Sequence, residues 1–193
     1  MVTSVLWFAS RRGDRGSINE EVTIARPPAV VFRWISSEDL VRRWVSDLIE
    51  FKRASASVKV PDFHMVQLIN GHRTDMAVKI VRVVPSQELG LQISSGDRSK
   101  DGFYGEAEFQ LFGAADYTRL IFHSHTNFVR QSDRVWEPVL TYAAKYKMRD
   151  DLAKLKLLVE AEAFVSPNLR ASSVGRQKAD SLHHTPGNHW LGF

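Results

Sequence analysis

From position 47 to 128 the apolar residues recur at every second place, in six runs separated by turn residues, and this pattern restricts the possible folds more than any other feature. A period of two belongs to a β-strand with one buried face. The runs are 48–54, 63–71, 74–84, 88–95, 102–112 and 117–128. Asn70-Gly71, Pro85-Ser86, Ser95-Gly96-Asp97 and the segment 113–116 stand between them, residue types that preset or tolerate turn dihedrals. Connections this short join antiparallel neighbours, because a parallel pair needs a long crossover. The sequence carries no dinucleotide- or phosphate-binding glycine motif.

The flanks change period. Ile18, Val22 and Ile24 share one parity and mark a further strand, which Pro27 and Pro28 stop. Proline is tolerated in a first helical turn, so a short helix is expected over 29–35. Ser36 with Asp39 three residues on resembles a capping box and opens a second short helix ending near Trp44. Beyond Phe128 the period becomes helical, with Pro138 expected in the first turn and the helix running to about Phe164. Leu140, Ala144, Met148, Leu152, Leu155 and Val159 form one apolar stripe along it. The expected class is α+β: a seven-stranded curved antiparallel sheet around a long C-terminal helix, with two short helices after the first strand. A bent sheet and a single helix leave space between them, and the helix pair closes one end. The domain is placed at 18–164, between a flexible N-terminal segment, 1–17, and a flexible tail, 165–193.

The net charge of +4 invites a nucleic-acid reading, but residues 18–165 hold 20 basic and 20 acidic side chains, so the excess sits in the two ends. A nucleic-acid domain concentrates charge on its folded part, and no such partner is expected. With no cysteine there is neither a disulfide framework nor thiolate chemistry, which fits a cytoplasmic location. The arginines of the first segment follow its apolar patch, the reverse of a secretory signal. Any membrane contact is expected to be peripheral at most.

Four segments carry a family resemblance: "ARPPAVVFRWISSEDLVRRWV", "VVPSQELGLQI", "GEAEFQLFGAADYTRLIF" and the helical "LAKLKLLVEAE". In this order and spacing, over about residues 18–164, the chain resembles the START-like superfamily, also called SRPBCC, which shares the helix-grip fold of the birch-pollen allergen. The Arg43-Trp44 pair resembles the family's Arg-Trp near the end of the second helix, and "YTRLIF" its Thr-Arg-apolar start to the last strand. The resemblance implies a hydrophobic-ligand domain: polyketide cyclases and aromatases, lipid and sterol carriers, quinone-binding chaperones, hormone receptors and a chaperone-activator branch. No branch-specific catalytic signature is matched, and fold alone does not fix function.

Parity places candidate pocket residues. Leu120, Phe122, Ser124 and Thr126 share one strand face; Phe103, Ala107, Phe109 and Leu111 share another; Leu89, Leu91 and Ile93 complete an apolar wall. The expected ligand-binding set is Trp34, Leu91, Phe103, Phe109, Phe122, Ser124, Met148 and Asp151, with Ser124 as a polar anchor and Trp34 at the mouth. Trp44 is expected to lock the helix pair onto the sheet. Asp151 falls inside the apolar stripe. It either faces the cavity as an acid or hydrogen-bond acceptor, or reaches solvent or pairs with Lys147 or Lys154. His123 and His125 share a strand face with chelating spacing, but lie opposite Phe122 with no third ligand, so no metal and no cofactor are expected. Tyr142 and Tyr146 lie off the stripe, at a sheet edge, a partner contact or the pocket rim.

The expected function is binding or transport of an apolar small molecule, lipid, quinone or polyketide-like, in an internal cavity. The alternatives are a cyclase or dehydratase using Asp151, or a protein-interaction module without ligand. The sequence leaves the oligomeric state open.

Overall fold

Alternating apolar residues become strands and the two proline- and serine-led segments become helices in the computed structural model, which describes residues 16–54, 62–69, 71–95, 102–128 and 131–180. The order is β1 (Ser17–Ile24), α1 (Pro28–Ser36), α2 (Glu38–Trp44), β2 (Leu48–Arg53), β3 (Asp62–Ile69), β4 (His72–Val84), β5 (Glu88–Ser95), β6 (Phe103–Gly113), β7 (Thr118–Phe128) and α3 (Gln131–Asp180). The expected class holds: seven antiparallel strands in the order β1-β7-β6-β5-β4-β3-β2. The helix pair carries the chain from one sheet edge to the other. A meander then walks back and ends with β7 beside β1. Register shifts between Leu48 and Glu50 and between Ile80 and Arg82 are bulges of the kind that bend and twist a sheet.

Helix α1 begins on Pro28, whose missing N–H costs nothing at that position, and the Pro27 carbonyl accepts from the Val30 and Val31 amides. Its buried face is Val31, Trp34 and Ile35, spaced by three and four residues as one helix side requires. The junction with α2 differs from the expected capping box. Ser37, not Ser36, is the shared cap: its amide donates to the Arg33 carbonyl and its carbonyl accepts from Leu40 and Val41. Ser36 ends α1, and its hydroxyl donates back to the Phe32 carbonyl at 2.7 Å, a local alternative open to any serine one turn after a carbonyl.

The chain divides into two compact units, residues 1–159 and 160–193. In the first, α3 is tied to β1 by Arg149, which forks onto Glu20 at 3.1 and 3.2 Å, and by Lys156, which donates to the Thr23 carbonyl at 2.8 Å. Leu152, Leu155 and Val159 on this helix meet Ile24, Trp34 and Leu120 in a core with almost no exposure. The helix starts at Gln131, which puts Pro138 in its third turn rather than its first. The second unit is helical through Asp180, so residues 165–180, expected as part of a loose tail, are helix. Propagating a helix avoids the cost of nucleation and needs no apolar stripe to mark it. The expectations for residues 1–15 and 181–193 lie outside the described residues. Among those described, no helix is long and apolar enough to cross a membrane.

The β6–β7 turn depends on Gly113. A Cβ there would stand 2.2 Å from the Tyr117 carbonyl oxygen and 2.9 Å from the Thr118 Cα. Both are backbone atoms, one in the turn and one at the start of β7, and cannot swing aside as a side chain would. Gly113→Ala is therefore expected to cost about 2 kcal/mol, read as a lower urea midpoint at unchanged m-value; an unchanged midpoint would contradict this close approach.

Candidate functional site

Between the sheet and α3 lies a cavity of about 290 Å³, partly open to solvent. Its position follows from side-chain size. In the register of β6 and β7, Gly105 faces Thr126, Ala107 faces Ser124 and Phe109 faces Phe122; on the other side of β6, Ile93 faces Gly105 and Leu91 faces Ala107. Small residues at the centre of the sheet make a floor, and Phe103, Phe109 and Phe122 rise around it. The Phe109 and Phe122 rings lie 4.9 Å apart, and Trp44 meets Phe109 edge-on at 6.3 Å. Phe51 and Phe63, stacked at 4.9 Å with planes 3° apart, form the opposite wall together with Met65, Met76 and Val78. The roof is Ala144, Lys147, Met148 and Asp151 on α3. One turn further along the same helix, Leu152 and Leu155 are core residues. The apolar stripe thus serves two purposes, closing the core at its C-terminal part and covering the cavity at its N-terminal part.

Of the residues expected at a ligand, Leu91, Phe103, Phe109, Phe122, Ser124, Met148 and Asp151 all line this cavity. Trp34 does not. It is 1% exposed within the core, with Arg43 stacked 5.0 Å from its ring centroid. Its carbonyl accepts the indole N–H of Trp44 at 3.1 Å, and Trp44 is the tryptophan that reaches the cavity wall. Trp44 thus ties the helix pair to the sheet as expected and also reaches the cavity, whereas Trp34 turns into the core, because the helices are only two turns long and their rotation is set by the sheet beneath. Phe51, Phe63, Met65, Met76 and Val78 also belong to the wall. Their alternation was visible in the sequence, but only the later strands entered the expected set.

The polar part of the lining contributed by α3 is a closed cluster. Asp151 Oδ1 accepts from the Ser46 amide at 2.9 Å and the Ser46 hydroxyl at 2.5 Å, and Oδ2 accepts from Lys147 Nζ at 3.0 Å. Lys147 also donates to the carbonyl and hydroxyl oxygens of Ser46 at 2.7 and 2.6 Å. Gln67 Nε2 completes the Ser46 carbonyl at 3.0 Å. Ser46 precedes Asp47, whose φ of 58° is left-handed, a conformation aspartate tolerates better than most residues. Asp151 is therefore buried and paired with Lys147, the second of the alternatives the sequence left open. It pins α3 to the α2–β2 turn.

His123 and His125 lie on the outer sheet face, engaged with Asn19 and Ser17 of β1. Among the described residues no group of three or more potential ligands is placed to hold a metal ion. His64 lies between Glu50 and Asp75 at 3.5 and 3.4 Å, and His72 is exposed. Tyr142 donates to Tyr146 at 2.8 Å, a bond that raises its phenol above the usual range. Both tyrosines are exposed, and neither lines the cavity.

A curved antiparallel sheet gripping one long helix over an apolar cavity defines a helix-grip protein of the START-like superfamily. Within it, residues 25–155 match the family model described as Activator of Hsp90 ATPase homolog 1-like protein, and the chain belongs to that family. No curated protein matches by sequence. Solved structures share the fold at low identity. The Zhui aromatase/cyclase from Streptomyces sp. R1128 is 11% identical with a TM-score of 0.65, covering 78% of this chain and 96% of that one. A conserved protein from Geobacillus kaustophilus is 11% identical with a TM-score of 0.63, covering 74% and 94%. Ara h 8.0201 is 15% identical with a TM-score of 0.57, covering 75% and 97%.

Proposed function

We propose that the protein binds an apolar small molecule, of lipid, quinone or polyketide-like class, in the cavity beneath α3, without covalent chemistry. The observation that carries this reading is a space of about 290 Å³ lined mainly by aliphatic and aromatic side chains. A concave, mainly apolar pocket with a few polar groups is the usual form of a small-molecule site. The volume lies at the lower end of ligand pockets, about 300–1,000 Å³, so the occupant is compact rather than a diacyl lipid. A cyclase or dehydratase would need a positioned acid–base group facing the space. Asp151, the sequence's best candidate, already accepts three hydrogen bonds from Ser46 and Lys147, which favours binding over turnover.

The test is a fluorescence titration with phenylnaphthylamine, a neutral dye that brightens in apolar surroundings. Saturable one-to-one binding is expected for the wild type. Ala107→Phe places a ring on the cavity floor and is expected to weaken binding about 10–100-fold while the circular dichroism spectrum stays native. No saturable binding, or equal binding by the variant, would remove the cavity as the site.

A further inference from the structure

The cavity floor carries two hydroxyls that have no partner among the described residues. Ser124 is 8% exposed and Thr126 is half-buried; both line the cavity, and among the described residues neither side-chain oxygen has a hydrogen-bond partner. The only side-chain polar atom both fully buried and unpaired among the described residues is Arg26 Nε, so these two hydroxyls open onto the cavity and are available to a ligand there. Lys147 and Asp151, by contrast, satisfy each other and Ser46. Of the cavity's hydroxyls, Ser36 donates to the Phe32 carbonyl and Ser124 and Thr126 on β7 remain open among the described residues.

Backbone geometry keeps them open. The two residues are two apart on one strand and share a face, which separates them by about 7 Å. Gly105 sits directly opposite Thr126. A Cβ there would lie 3.2 Å from Thr126 Oγ1 and 3.0 Å from the His125 carbonyl oxygen, so any side chain would begin to cover that hydroxyl. Gly105 and Ala107 keep the floor low and flat between the walls of Phe103, Phe109 and Phe122. A flat floor, aromatic walls and two hydroxyls in the floor match one ligand chemistry.

Resting on the binding reading above, we propose that the cavity selects a flat ring system bearing a hydroxyl or carbonyl oxygen, hydrogen-bonded by Ser124 and Thr126, over a saturated chain. A chain packs poorly between ring faces and passes the hydroxyls without pairing both. The contribution of the hydroxyls has a sign that distinguishes it from burial. Naphthol is better solvated by water than naphthalene, so a cavity without a partner for its hydroxyl binds it less well. A cavity that supplies one binds it better.

Displacement of phenylnaphthylamine by naphthol, naphthalene and octanol tests this on the full-length protein. Naphthol is expected to displace the dye at several-fold lower concentration than either competitor. Ser124→Ala is expected to weaken naphthol about tenfold and leave naphthalene unchanged, and Thr126→Val, close in shape, is expected to act in the same direction. Naphthalene or octanol binding as well as naphthol, or a Ser124→Ala effect equal on naphthol and naphthalene, would overturn the proposal while leaving cavity binding intact. Failure of the dye itself to bind would take down both readings.

Discussion

Replacement of Trp34 by alanine is expected to destabilise the fold by about 3–5 kcal/mol and to lower the melting temperature by roughly 10 °C, while leaving the ligand affinity of the folded protein unchanged. Trp34 is 1% exposed and packs with Ile24, Leu120 and Leu155 in the core. Removing its indole leaves a void that α1 cannot close, because Pro27 and Ser37 fix the helix at both ends. Its carbonyl holds the Trp44 indole N–H, a bond made by the backbone and therefore retained in the variant. Trp44 stays in the cavity wall, so stability and binding separate. Urea denaturation and dye titration read the two effects. A cost below about 1 kcal/mol, or a loss of affinity in the folded protein, would show that the tryptophan roles have been misassigned.

Asp151→Ala is expected to cost about 2–4 kcal/mol. The change leaves the Ser46 amide and hydroxyl without their acceptor and Lys147 without its counter-charge. Lys147 is 30% exposed, so its ammonium recovers some hydration, which makes the cost smaller than for a fully buried pair, about 3–5 kcal/mol. Asp151→Asn retains an acceptor toward Ser46 and is expected to cost less. Replacing both partners, Asp151→Leu with Lys147→Met, is expected to restore only the part of the loss that comes from the unpaired ammonium, since the Ser46 amide and hydroxyl still lack their acceptor. A double-mutant cycle measures the coupling. Additive effects of the two single replacements would mean that Asp151 does not act through Lys147.

The sheet was legible because its signal is local and repeated. Each strand shows its buried face at every second residue, so Phe103 through Leu111 and Leu120 through Ser124 could be assigned to one side without knowing their partners. Proline and glycine placed the breaks to within a residue or two. Features fixed by distant contacts were less legible. The rotation of α1 and α2 decides which tryptophan sees the cavity, and two turns of helix carry too little pattern to set it. Lys147 lies one turn before Asp151, so that partner was visible in the sequence. Ser46, 105 residues away, was not. The capping serine was misplaced by one residue because Ser36 and Ser37 offer the same hydroxyl, and the choice rests on backbone dihedrals. The cavity itself is a property of size rather than pattern. Gly105 and Ala107 read as strand residues, and only the register with Thr126 and Ser124 shows that four small side chains meet.

Whether the space beneath α3 holds a molecule is tested most directly by native mass spectrometry of the freshly purified protein against its denatured mass, with fragmentation of whatever is released. One discrete additional mass is expected, dissociating as a compact, largely apolar compound, and absent from Ala107→Phe purified in the same way. A clean protein mass, unchanged after incubation with lipid and quinone extracts, would contradict this expectation.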